Sequence, residues 1–181
     1  MRQGQSPNSP KESTHLSGQP FAESHRGLVL RQAEERDEAA VTQLINTAFG
    51  VERFFLGAER LSTGEVRARM ERGRFFLLED SGALAGCVYA ELRGENGFIG
   101  LLSIHPQRQK SGLSRMLMSA AEEHFRQNGC GMAELRIVNL RTELAPYYRH
   151  LGYCETGIEQ FPAEIPTILP CHLIVMTKGL R

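Results

Sequence analysis

Apolar and polar positions along the chain change period several times, and each change marks an element. The clearest case runs from Phe98 to Gln127. Phe98, Ile99, Leu101, Leu102 and Ile104 form a nearly continuous apolar run, the pattern of a strand buried on both faces. Pro106 ends the run, because proline cannot donate to a sheet ladder. From Leu113 the spacing becomes helical, with Leu113, Met116, Leu117, Ala120, Ala121 and Phe125 on one face. A polar loop joins the two elements, carrying Arg108 and Lys110, with Gly112 at the helix start and Arg115 just inside it. Free backbone N–H groups and the positive end of the helix dipole meet there, so the junction predicts an anion site.

The same reading covers the rest of the chain. LVLRQA from Leu28 predicts a strand, and Arg36 to Phe49 a helix with Ala39, Ala40, Leu44, Ile45 and Ala48 on or near its inner face. Ser62 and Glu65 have the spacing of a capping box and open a second helix that closes at Gly73. RFFLLED and LAGCVYAEL read as strands joined by a turn at Ser81–Gly82, and Asn96–Gly97 turns the chain into the buried strand, giving an antiparallel meander. In AELRIVNL, Leu135 and Ile137 alternate with Glu134 and Arg136. A short helix through Tyr147, Tyr148 and Leu151 follows, stopped by Gly152. YCETG and PCHLIVMTK supply the last strands. This order predicts an α/β fold with a single domain: a mixed, mostly antiparallel sheet of six to seven strands flanked by about four helices.

Composition narrows the picture. The 181 residues suit one domain with a tail. Residues 1–27 are rich in Ser, Gln, Pro and Gly and bury too little to offset the entropy of ordering, which predicts a disordered polar tail before a domain over 28–181. Glu12 and Glu23 argue against a transit peptide. Zero formal net charge speaks against nucleic acid or an anionic membrane as partner. No apolar run approaches the roughly 20 residues needed to span a bilayer, and the opening residues lack the apolar region of a secretory signal. Cys87, Cys130, Cys154 and Cys171 form no CxxC pair and have no companion His at zinc spacing. They predict reduced thiols in a cytoplasmic protein without a metal.

The loop after Pro106 lacks both the GxxxxGK[ST] and the GxGxxG phosphate motifs. PQRQKSGLSRML instead resembles motif A of the GNAT superfamily of acyl-CoA N-acyltransferases. Gln109, Gly112 and Ser114 stand at its signature positions, with Ile104 as the aliphatic residue before Pro106. Ser114 departs from the usual Gly or Ala. NLRTELAPYYRHLGY is similar to the second signature of the family, matching at Tyr148, Gly152 and Tyr153, and the resemblance spans Leu28 to Lys178.

The resemblance implies an N-acetyltransferase moving an acetyl group from acetyl-CoA, as cosubstrate, directly to a primary amine on a small molecule or peptide. Backbone groups around Ile104 would pair with the pantetheine arm. Amides of Gln109, Lys110, Ser111, Gly112, Leu113 and Ser114 would hold the pyrophosphate. The alternative is a catalytically weak or inactive acyl-CoA-binding module of the same fold. Oligomeric state is open, a homodimer included.

Acetyl transfer to an amine needs a neutral nucleophile, although a lysine-like amine has a pKa of about 10.4. It also needs a donor for the developing oxyanion, which a strand N–H near Ile104 could supply, and a proton for the departing thiolate. Tyr148 suits the last task, since a phenol of pKa about 10 is protonated at neutral pH; its other reading is a core aromatic. Tyr147 reads as packing. Glu91, on a strand beside the one carrying Ile104, is the first candidate base, Glu134 and His172 are others, and a water chain would serve as well. Arg141 and Glu143 are expected to pair, and Arg53 reads as a surface charge. The acceptor pocket is expected between Phe49–Leu61 and the late strands, near Phe54, Phe55 and Phe161.

Overall fold

The computed structural model describes residues 27–57 and 59–181, so the expected tail, apart from Gly27, lies outside the described residues. Apolar alternation builds seven strands: Leu28–Gln32 (β1), Arg74–Asp80 (β2), Ala83–Arg93 (β3), Asn96–Ile104 (β4), Met132–Val138 (β5), Cys154–Gln160 (β6) and His172–Gly179 (β7). They form one sheet in the order β1-β2-β3-β4-β5-β7-β6. Neighbours from β1 to β4 are antiparallel, with tight turns joining β2 to β3 and β3 to β4, and β6 and β7 are antiparallel as well. The β4–β5 pair is parallel, because the chain must cross the sheet through a helix to join them.

Four α-helices cover this sheet: Glu38–Ala48 (α1), Thr63–Arg72 (α2), Leu113–Gln127 (α3) and Leu144–His150 (α4). On one face Val41, Ile45 and Val66 pack against Phe75, Leu77 and Tyr89. On the other Leu117, Ala121 and Phe125 pack against Val88, Ile99 and Leu135. The α/β sandwich expected from the sequence is the one observed, capping box included: Ser62 Oγ accepts the Glu65 N–H, and the Glu65 carboxylate accepts the Ser62 N–H at 2.8 Å.

One inner face differs from expectation. Leu44 and Ile45 are buried as expected, but Ala39 and Ala40 are exposed, and Val41 and Thr42 complete the buried face of α1. Glu38 is also drawn inward, where Arg67 Nε donates to it at 2.6 Å.

Close packing sets the position of α3. A Cβ on Gly86 would lie 2.8 Å from Ile104 Cδ1, 2.9 Å from Leu117 Cδ1 and 3.1 Å from the Ser103 carbonyl, so glycine eases the close approach of α3 to β3 and the end of β4. Further along α3, buried Glu122 accepts from the Tyr153 hydroxyl at 2.9 Å and from Lys178 Nζ at 2.8 Å. Among the described residues no helix is long and apolar enough to cross a membrane.

Candidate functional site

The parallel strands at the centre of the sheet part company halfway. β4 pairs with β5 only from Asn96–Met132 to Ile99–Leu135. Beyond that point Gly100–Ile104 and Arg136–Val138 share no ladder, leaving two strand edges facing a wedge. A bulge accompanies the parting. Leu101 and Leu102 together stand opposite Val88, and Leu101 has φ 52°, a conformation uncommon for a branched side chain. No residue type in this run announces the bulge; only the ladder reveals it.

Ile104 lies on the wedge. The His105 N–H donates to the Ala85 carbonyl at 2.8 Å. Antiparallel pairing alternates, so Ile104, opposite Gly86, turns its own N–H and C=O away from β3, toward the side occupied by β5.

The loop beyond it is lined with unused donors. No backbone N–H from Gln109 to Ser114 has a protein acceptor among the described residues. Leu113 and Ser114 lie in the first turn of α3, where helix geometry supplies no carbonyl. Lys110 has φ 62° and Gly112 φ 82°, and these left-handed residues curl the backbone into a nest of the kind that holds anions. A Cβ built on Gly112 meets nothing within 4 Å, so the backbone is open on that side. Arg108 is paired with Asp80 at 2.9 Å, whereas Lys110, exposed, has no ion pair among the described residues. The donor set fits a diphosphate.

Two tyrosines of α4 approach this junction. The Tyr147 hydroxyl donates to Ser114 Oγ at 2.8 Å. Tyr148 is buried between the rings of Tyr147 and Tyr153, at centroid distances of 5.1 and 6.0 Å. Burial pushes its phenol well above the ordinary value, so it holds its proton. Its hydroxyl makes no hydrogen bond among the described residues.

The candidate bases are spread out. Glu91 lies opposite Phe98, where β4 and β5 are still paired, and accepts from Arg93 at 2.8 Å and from the Tyr89 hydroxyl at 3.1 Å. Burial raises its pKa, but the Arg93 hydrogen bond and charge more than reverse that, leaving it below the usual carboxylate value. Glu134 pairs with Arg136 at 2.9 Å. His172 starts β7, its N–H donating to Asn139 Oδ1 at 2.9 Å. Neither touches Tyr148.

One further buried carboxylate, absent from the sequence expectations, is paired with Arg141, which follows the end of β5. Glu52, in the turn after α1, is buried, and desolvation raises its pKa against the opposing pull of Arg60 and Arg141. Its place in VERFF, an acid beside two phenylalanines, was the available signal. Around it the Phe49–Leu61 segment and the β6–β7 connection build an apolar cluster of Phe55, Leu56 and Val138, with Phe161 edge-on to Phe55 at 6.2 Å. Phe54 is half exposed, and Arg53 is at the surface as expected. Arg141 Nε donates to Glu143 at 2.5 Å, the expected pair.

Comparison with known proteins agrees with this geometry. The model of the acetyltransferase (GNAT) domain family matches residues 34–168. Mycothiol acetyltransferase of Thermobispora bispora is 30% identical over 150 residues, 77% of this chain and 51% of the relative, so the chain spans about half the length of that curated relative. Among solved structures, the ribosomal-protein-S18-alanine N-acetyltransferase of Escherichia coli superposes with TM-score 0.69 at 16% identity, covering 84% of this chain and 94% of its own. Ard1 of Thermoplasma volcanium gives 0.71 at 13% identity, covering 84% and 97%. A Salmonella typhimurium protein solved with its cofactor acetyl-CoA gives 0.68 at 19%, covering 86% and 95%. At these identities the structures speak for the fold, and the matched domain speaks for the family: this chain belongs to the GNAT acetyltransferases.

Proposed function

We propose that this protein transfers an acetyl group from acetyl-CoA to a primary amine by direct attack, without a covalent enzyme intermediate. The observation that carries the reading is the run of unengaged N–H groups from Gln109 to Ser114, set at the end of a strand whose free edge faces a wedge in the sheet. Backbone donors at a helix N-terminus suit a diphosphate. The free edge of Ile104 suits an amide-bearing arm, which can pair with it as an added strand would.

When bound, acetyl-CoA supplies the thioester. The chain does the rest. The peptide groups of Gln109, Lys110, Ser111, Gly112, Leu113 and Ser114 hold the diphosphate, and Ile104 aligns the arm. A backbone N–H of β4 on the Ile104 side of the Leu101–Leu102 bulge steadies charge growing on the carbonyl oxygen. Tyr148, kept protonated by burial, gives a proton to the leaving sulfur. Glu91 is a base candidate acting through water, its basicity lowered by Arg93.

Titration calorimetry with acetyl-CoA, followed by free-thiol release over a panel of amines, tests the reading. Binding with release that requires both substrates is expected, with initial-rate lines that intersect. Binding with no release under any amine would make the chain an acyl-CoA-binding module. Absence of binding would overturn the assignment.

A further inference from the structure

We propose that Glu52 is the acceptor-side catalytic residue: its carboxylate seats the ammonium of a primary amine carried on an alkyl or aromatic body and takes the proton that frees the nitrogen to attack. This rests on the acetyl-transfer reading and specifies the acceptor half of the same site.

Glu52 is buried but poorly satisfied. A buried carboxylate ordinarily collects several donors. Among the described residues Glu52 has one, Arg141 Nη1 at 3.4 Å, and the same guanidinium is held more closely by Glu143. Glu52 Oε2 has no partner, and it is not sealed from solvent. The charged and titratable groups that bear on it are Arg60, Arg141 and Glu143, and Cys171 feels its charge in turn. Burial outweighs the two guanidiniums and lifts the carboxyl above its ordinary pKa, which brings it closer to the range useful to a base near neutral pH. Glu91 is the opposite case, with two donors engaged and its pKa held down by Arg93.

Placement agrees with the role. Arg141 follows the end of β5, and its charge reaches both Glu52 and the Tyr148 hydroxyl. Glu52 and Tyr148 thus share one guanidinium within electrostatic reach, which Glu52 meets at 3.4 Å. The Glu52 carbonyl accepts from the Phe55 and Leu56 N–H groups at 3.0 and 2.9 Å, and Phe161 packs against the cluster that Phe55 and Leu56 form. Farther out Val51, Phe54 and Ile168 are exposed at 55%, 50% and 64%. The Ile168 N–H donates to the Phe55 carbonyl at 2.8 Å, joining this rim to the buried cluster. Such walls favour an apolar body behind the amine and penalise a second charge, which would lose water without gaining a partner.

The protons balance. The ammonium gives one proton to Glu52. The nitrogen lone pair then forms the N–C bond as the C–S bond breaks. Tyr148 protonates the sulfur and recovers a proton from the new amide nitrogen, and Glu52 releases its own to solvent.

The test uses the full chain, with Glu52→Gln, Glu52→Asp and Glu91→Gln. Rates are measured against pH with hexylamine, phenethylamine, spermidine and glycine. Glu52→Gln should bind acetyl-CoA as the unaltered protein does but lose kcat/KM about 100-fold or more, the usual contribution of a general base. The fall at acid pH should give way to a steady rise with pH. Glu52→Asp should recover part of the loss, Glu91→Gln should lose less than Glu52→Gln does, and hexylamine and phenethylamine should outpace spermidine and glycine. An unchanged rate and pH profile in Glu52→Gln, the loss appearing in Glu91→Gln instead, or preference for spermidine or glycine would overturn the proposal. If Glu52→Gln no longer binds acetyl-CoA, the Glu52→Asp profile and the amine preference decide. Failure of the unaltered protein to bind acetyl-CoA would instead remove the transfer reading, and this proposal with it.

Discussion

The Tyr147 hydroxyl donates to Ser114 Oγ across 2.8 Å, tying α4 to the first turn of α3. Ser114 is the position where the family motif usually has Gly or Ala, and its oxygen accepts from Tyr147, which leaves its own O–H free to donate. Because Tyr147 and Tyr148 pack edge to face at 5.1 Å, the same bond helps fix the ring beside it. Tyr147→Phe and Ser114→Ala should each cost about 1 kcal/mol of stability. The double variant should cost little more than either, because both remove one interaction. Denaturant melts of the four proteins measure this coupling.

Tyr148→Phe removes one oxygen from a buried ring and leaves the packing intact. Its affinity for acetyl-CoA should be unchanged, while kcat falls about 100-fold, as expected for the loss of a proton donor. Calorimetry and the thiol assay separate the two quantities, and full turnover by this variant would remove Tyr148 from the chemistry.

Gly112 holds φ 82° at the head of α3. Alanine has space there, yet that backbone conformation costs a side-chain-bearing residue about 1–2 kcal/mol. Relaxing it would misalign the cradle amides. Gly112→Ala should weaken acetyl-CoA binding about tenfold, with 1.4 kcal/mol per factor of ten, and change the thermal midpoint modestly. Calorimetric titration reads the first effect.

Asp37 accepts from both terminal nitrogens of Arg31, at 2.7 and 2.8 Å, and from the Glu34 N–H at 2.8 Å. The Arg31 hydrogen bonds dominate in holding its pKa at about 2. A depressed carboxyl stabilises the fold above its unfolded pKa of about 4 and loses that contribution as pH falls toward 2. Asp37→Asn should therefore flatten the decline of the melting temperature in this window, as followed by circular dichroism.

Glu122 serves Tyr153 and Lys178 from inside α3. Glu122→Leu would leave both without an acceptor, and a loss of about 2–4 kcal/mol is expected in urea unfolding.

Where spacing carried the signal, the sequence was sufficient. β4, the cradle and α3 were legible because an apolar run, a proline and a helical period follow one another between Phe98 and Gln127, and Ser62 with Glu65 marked the start of α2. The wedge was not legible, since it depends on where two strands distant in sequence stop pairing. Leu101 belongs to a residue type that gives no warning of positive φ. On α1, Leu44 and Ile45 were legible as core, whereas the small apolar Ala39 and Ala40 gave a misleading signal and Val41 takes the inward position at i, i+3, i+4 with Leu44 and Ile45. Glu52 escaped notice because an acid in a connection is normally solvated, and only the folding of Phe55 and Phe161 around it removes the water.

Leu56 and Thr167 form an isolated bridge, which the hydrogen bond from the Ile168 N–H to the Phe55 carbonyl supports. The connection after α1 and the connection before β7 are thus stitched together, although more than a hundred residues of chain separate them. Engineering that grafts one of these segments alone from a relative would leave its stitching partner mismatched. Altered selectivity should then require exchanging both pieces as a single cassette.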